Sequence, residues 1–272
     1  MAGCSDDGGS STTTSSTTAP PQVVGLTPLT VELVEAGAEP REVLAQDIAE
    51  GTSWTGDLTF DLGVESVITA AIVGESHLDI ESVETEGSVT AAYGLLDLEV
   101  SAISMDPDLP PQEGTLDITG RVVVGPDRTA TAATVSTEAT GDLAGIEALA
   151  AGLDPRLSSL LFPFPAEAIG TGAEWDISGP LPLFGTDVEL AARARLEQRQ
   201  GGQFTVIVAL SLTTPEDQEG PQIDLDGFGE IEGDVASLGL DLGSIVTSGG
   251  IVLPDAGPDP LPMTLEVHID GR

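Results

Sequence analysis

Residues 188–198, VELAARARLEQ, and 203–212, QFTVIVALSL, decide the fold. Apolar and polar side chains alternate in each run, the period of a strand with one buried face. Gly201 and Gly202 lie between the runs, where a tight turn needs positive φ. The pair predicts a β-hairpin. Working outward, GTLDITGRVVVG (114–125) and RTATAATVST (128–137) form a second hairpin across Pro126 and Asp127. SVITAAIV (66–73) and SHLDIESVE (76–84) flank Gly74 and Glu75 as a third pair. SVETEG (82–87) reads as a charged strand end or hairpin tip, and PMTLEVHID (262–270) as a closing strand.

One segment breaks this period. GDLAGIEALAAGLDPRLSSLLFPFP (141–165) sets Leu143, Ile146, Leu149 and Leu153 at helical spacing. Gly152 suits the end of a first helix. Asp154 and Pro155 suit the cap and first position of a second, which carries Leu157, Leu160 and Leu161. Packing into a core accounts for these side chains. The alternative is that their apolar faces roof a ligand cavity.

The two tryptophans suggest duplication. Trp54 lies in IAEGTSWTGDL (48–58) and Trp175 in AIGTGAEWDISG (168–179). Each follows a Gly-x-x approach and precedes strand-like sequence. Their separation is about half the folded length. The expected architecture is therefore mainly β: two similar curved antiparallel β units, half-barrel-like, with a short helical connector. Residues 1–22 form a tether, 23–140 the first unit, 141–165 the connector and 166–272 the second unit.

Composition limits the partners. The chain has 272 residues and a formal charge of −38, and all eight of its basic residues are arginine. Nucleic acid needs a basic surface to displace counterions, so it is excluded as a partner. Adsorption to anionic headgroups is disfavoured for the same reason. Aromatic residues make up 3% of the chain, so the core must be built from Val, Ile, Leu and Ala. One cysteine gives neither an internal disulfide nor a thiolate metal cluster. No apolar run approaches the roughly 18 residues that span a bilayer.

That cysteine is Cys4, in the opening MAGCSDDGGSSTTTSSTTAPPQ. Ala-Gly-Cys matches the end of a bacterial lipobox, where a signal peptide is cut and the thiol lipidated. The basic region and apolar run of a fuller signal peptide are expected upstream. The alternative is a free thiol in a cytoplasmic protein. Residues 5–21 are mostly Ser, Thr, Gly and Asp and cannot bury enough surface to offset their ordering entropy. As a flexible chain they would span about 25 Å. The expectation is a membrane partner reached through lipidated Cys4, with the folded part held at the outer face.

FPFPAEAIGTGAEWDI (162–177), with AGAEPREVL (36–44), resembles a family of uncharacterised envelope lipoproteins of high-GC Gram-positive actinobacteria. Ala168 stands where that family has its second proline. The resemblance implies secretion, lipidation and a β-rich domain of unknown function, and it supplies no catalytic residues. A looser likeness is to mycobacterial lipid-carrying lipoproteins, in which a curved antiparallel sheet with helices on one face encloses an apolar cavity.

Catalytic signals are sparse. His77 and His268 each fall inside an expected strand, and no G-x-S-x-G elbow occurs. Gly170-Thr171-Gly172 lacks the Lys-Ser/Thr of a P-loop and the third glycine of a dinucleotide fingerprint. It reads as a turn before the strand of Trp175. PEDQEGPQIDLDGFGEIEGD (215–234) reads as an acidic loop. Asp224, Asp226 and Glu230 there are a weak calcium candidate, because the EF-hand spacing is incomplete. No cofactor is expected and the chain is not read as an enzyme. The expected role is a lipid-anchored extracytoplasmic protein that binds or carries an apolar, lipid-like ligand. The alternative is a surface interaction module without a pocket.

Overall fold

The computed structural model describes residues 17–18, 22–44, 46–104, 112–141, 161–183, 186–218, 220–254 and 257–272. Among these residues the fold is all β, with no helix. The strands are β1 (Thr17–Thr18), β2 (Gln22–Gly25), β3 (Thr30–Glu35), β4 (Ser53–Val64), β5 (Ile68–Val83), β6 (Val89–Ser104) and β7 (Gln112–Val124). They continue as β8 (Ala130–Gly141), β9 (Glu174–Leu183), β10 (Thr186–Gln200), β11 (Gln203–Thr213), β12 (Gln222–Asp234), β13 (Leu240–Val252) and β14 (Leu261–Gly271).

β4 to β8 form one antiparallel meander and β9 to β14 another. They are not separate sheets. β14 pairs with β4 from Gly56 to Val64, which joins the meanders edge to edge. The result is one open antiparallel sheet. β3 borders β9 at one end, and β1 and β2 border β8 at the other. Four residues, 26–29, link β2 to β3. Five Cα steps span at most about 18 Å. The two distant edges of the sheet are therefore drawn close by a short strap, and Leu26 within it is buried in the core.

A second contact reports the same bend. The β7–β8 turn hydrogen-bonds to the β12–β13 turn, although four strands separate β7 from β13 in the sheet. In a flat sheet those strands would stand about 24 Å apart. The inner face therefore wraps around a single main core. That core takes Leu58, Leu78, Tyr93, Ile118 and Val122 from one meander and Trp175, Leu196, Val206 and Ile231 from the other. A smaller cluster of Leu181, Val188, Leu225 and Met263 fills the opposite end of the second meander.

The hairpin across Gly201 and Gly202 forms as the alternation predicts, with Gln200 opposite Gln203. The turn over 84–88 closes β5 onto β6, through Glu84 N–H to the Ser88 carbonyl. The pair across Gly74 is corrected: 66–73 and 76–84 are not two strands joined by a turn. β5 runs through Gly74 without reversing. This glycine serves a close approach, since a Cβ there would lie 2.6 Å from Leu98 Cδ2. The 215–234 loop is also corrected, because 222–234 is β12. Its inward positions include Ile223, Leu225 and Ile231, buried, while the carboxylates alternate outward.

The two meanders begin with matching geometry. Gly51 and Gly172 have φ of +78° and +81°. Gly51 N–H donates to the Ile80 carbonyl, and Gly172 N–H to the Leu196 carbonyl. Trp54 lies opposite Leu78, two residues before Ile80, and Trp175 opposite Ala194, two residues before Leu196. Register irregularities follow at Ile80/Ser82 and at Leu196/Gln198.

Candidate functional site

Two regions concentrate unusual chemistry: the rim where the two turns meet, and a band on the inner face of the sheet. The rim is built around Arg128, in the β7–β8 turn. Its backbone is left-handed, with φ +63°, and the residue is 1% exposed. Nη2 donates to the carbonyls of Asp234 (2.9 Å) and Ser237 (2.6 Å). The guanidinium carbon sits 5.5 Å from the ring centres of both Phe164 and Phe204, a favourable setting for a cation. Burial lowers its pKa to about 10, against the attraction of Asp234, so it stays charged at neutral pH. Phe164 is fixed in turn by its N–H bond to the Asp127 carbonyl and by edge contact with Phe204.

A polar groove of about 210 Å³ borders the rim, lined by Gln198, Gln200, Gln203, Thr205, Glu232 and Asp241, among others. Burial, and then the neighbouring Asp234 carboxylate, raise the pKa of Asp241. A carboxyl with a raised folded pKa binds its proton more tightly in the folded state. Stability is thus lost as pH climbs from the ordinary carboxyl range through that raised value. Asp241 is exposed on the strand, so solvent screens most of this effect, and Asp241→Asn should stabilise the protein only slightly at pH 7. The gain should vanish near pH 3, and paired thermal melts at the two pH values check this.

The inner band is a cross-strand row: Val100, Ile72, Phe60, Val267, Ile245, Gly229 and Val208 lie in register from β6 to β11. Ile72, Phe60, Val267 and Ile245 are only half-buried, although their strands are central. The next row places half-buried Leu62 on β4 and Leu210 on β11.

The sequence-predicted residues fall as follows. Cys4 lies outside the described residues, as do Leu143, Ile146, Leu149, Leu153, Leu157 and Leu160. Leu161 is described, half-buried against the main core. Trp54 and Trp175 are both buried, at the starts of β4 and β9. Asp224, Asp226 and Glu230 share the outer face of β12, exposed. At about 6.6 Å between alternate residues, Asp224 and Glu230 stand about 20 Å apart, too far to ligate one ion. Among the described residues no group of three potential ligands is placed to hold a metal.

His77 lies beside Asp79, with Nε2 4.0 Å from Oδ2. His268 is paired across the ladder with Ser244, which pairs in turn with Glu230. This row lies on an open strand face whose N–H groups are spent in the ladders. No oxyanion donors converge on the serine there. Arg128 and the phenylalanines around it were not singled out by the sequence reading. The signal available was an arginine at a turn tip in a chain with few arginines. No known protein family, curated protein or solved structure matches the chain.

Proposed function

We propose that this chain is an extracytoplasmic protein, anchored to the outer face of the membrane through lipidated Cys4, whose wrapped sheet binds or carries an apolar, lipid-like molecule. The observation that carries this reading is the half-open apolar band, Ile72, Phe60, Val267 and Ile245, between two buried clusters. An apolar strip left partly uncovered at the centre of an inner face is where an apolar ligand gains most. The matching starts of the two meanders further support a duplicated β unit. They fit the likeness to actinobacterial envelope lipoproteins, and the role proposed is a non-enzymatic one.

The test is mass spectrometry on protein purified from its native membrane, expressed from the complete gene. A diacylated Cys4 with a stoichiometric co-purifying lipid is the expected result. An unmodified cysteine behind a retained N-terminal extension would sink the anchor. One observation favours a second reading, a surface interaction module. Phe228 is 68% exposed on the outer face, flanked across the ladders by Ala209 and Val246. A lipidated Cys4 with no bound lipid would favour that module.

A further inference from the structure

The polar groove beside the rim stands on a framework that the fold builds twice. In the second meander Leu196 pairs with Val206 and Gln198 with Thr205, which leaves Glu197 as a bulge. Thr205 lies opposite Glu232. Glu232 and Gly233 in turn face Leu242 and Leu240, which leaves Asp241 as a second bulge. In the first meander Ile80 pairs with Ala91 and Ser82 with Thr90, with Glu81 bulged. Thr90 lies opposite Val123. Val123 and Val124 face Ala132 and Ala130, with Thr131 bulged. Gln198, Thr205, Glu232 and Asp241 thus correspond to Ser82, Thr90, Val123 and Thr131. Bulges bend a strand and re-aim its side chains, so two of them bracketing one row can shape a groove there.

The two frameworks carry different side chains. In the first, the row is short or apolar and its polar groups are spent. Thr131 Oγ1 donates to the Val123 carbonyl (3.2 Å). The bulged Glu81 takes both its oxygens to Arg121 Nε (3.0 and 2.8 Å). In the second, an amide and two carboxylates stand at the matching positions, and Gln200 and Gln203 extend the row to the hairpin tip. Among the described residues, the side chains of Gln198, Gln200, Gln203, Thr205, Glu232 and Asp241 make no hydrogen bond or ion pair within the chain. Six polar side chains therefore line one groove of about 210 Å³ with their bonding capacity free.

We infer that this groove binds one neutral sugar ring, free or as a unit of a larger glycan. Three amides each offer a donor and an acceptor, the threonine hydroxyl offers both, and the carboxylates accept. A polyhydroxylated ring matches that mixture, because each of its hydroxyls donates and accepts. A cation would use the acceptors alone, and an anion is opposed by Glu232 and Asp241. The volume is that of about seven waters, on the scale of a single ring. This site is independent of the apolar band and of the anchor at Cys4.

The experiment titrates the whole protein with D-glucose, D-mannose and D-galactose. The readout is the side-chain ¹H–¹⁵N amide resonances of Gln198, Gln200 and Gln203. The Gln46 amide is the control, since its Nε2 already donates to the Gly87 (2.6 Å) and Gly125 (3.1 Å) carbonyls. With at least one sugar, a saturable shift of the three amides is expected, with Gln46 unmoved and a Kd of about 1–10 mM, the scale for a small polar ligand. No saturable shift with any of the three would overturn the site, as would equal linear drift of all four amides. Glu232→Ala should weaken the binding about tenfold with an unchanged thermal midpoint, and full affinity in that variant would overturn the site. Methylammonium chloride, replacing sodium chloride at fixed ionic strength, tests the cation. Tighter saturation by methylammonium than by any sugar would overturn the ligand class. The matching polymer (dextran, mannan or galactan) separates the two sources: tighter binding than its monomer supports a glycan, and equal binding per ring supports a free sugar.

Discussion

Arg128→Ala is expected to lower folding stability by about 3 kcal/mol. The alanine removes two hydrogen bonds from a charged donor and leaves the Asp234 and Ser237 carbonyls short of a partner. It also removes the cation from between Phe164 and Phe204. Relief of the burial cost of the charge offsets part of this loss. Because the residue has φ +63°, alanine keeps the left-handed strain that glycine would not. Arg128→Gly should therefore lose about 1 kcal/mol less than Arg128→Ala. Urea unfolding of the three proteins measures both differences. A loss below about 1 kcal/mol in the alanine variant would show that the two turns hold together without the guanidinium.

Trp175→Ala should cost more, about 3–5 kcal/mol, the range for deleting a fully buried large ring. Trp175 is 0% exposed, with Phe162 and Phe164 at ring-centre distances of 6.2 and 5.9 Å. The segment 162–164 rests on this ring and also carries the wall of the Arg128 site. The substitution should therefore loosen both meanders together, in one cooperative transition. Trp175→Phe should recover more than half of the loss. Fluorescence then reports on Trp54 alone, which makes the urea midpoint simple to read. A midpoint within error of the parent for Trp175→Ala would place the core elsewhere.

Much of this fold was written in alternation. Where valine, isoleucine and leucine take the inner positions, as in β10 and β11, the strands and their turn could be read directly. β12 could not. Its inner positions hold Gly227, Gly229 and Gly233 alongside Ile223, Leu225 and Ile231, and its outer positions hold mostly carboxylates. Glycine and acid together resemble a loop. Here the glycines exist because neighbours occupy the space: a Cβ at Gly229 would meet the Ser244 carbonyl at 2.6 Å, and one at Gly233 the Phe204 ring at 2.8 Å. Such contacts come from residues distant in sequence, and local pattern does not carry them. Gly74 misled for the same reason.

The candidate site was less legible than the fold. Arg128 owes its burial to the meeting of two turns more than a hundred residues apart. Its own neighbours, Asp127 and Thr129, read as an ordinary polar hairpin tip. The inner band was legible as strand residues, but its partial exposure depends on sheet curvature. The joining of β14 to β4 was also hidden, since a closing strand does not announce its partner.

The strap over 26–29 has a mechanical consequence for the strands ahead of it. Among the described residues, the chain before it pairs with β8 at Thr17 and Thr18, opposite Ala139 and Glu138, and along Gln22 to Gly25, opposite Val135 to Ala132. Tension on the N-terminus directed away from β8 acts on these bonds one after another, as a zipper is opened. Tension along β8 stretches them all together and meets far more resistance. Two residue pairs of β1 and four of β2 would yield in turn before force reached Leu26 and the core. The seam of β1 and β2 on β8 is thus a fuse: the direction of pull decides whether it parts gently or the whole domain bears the load.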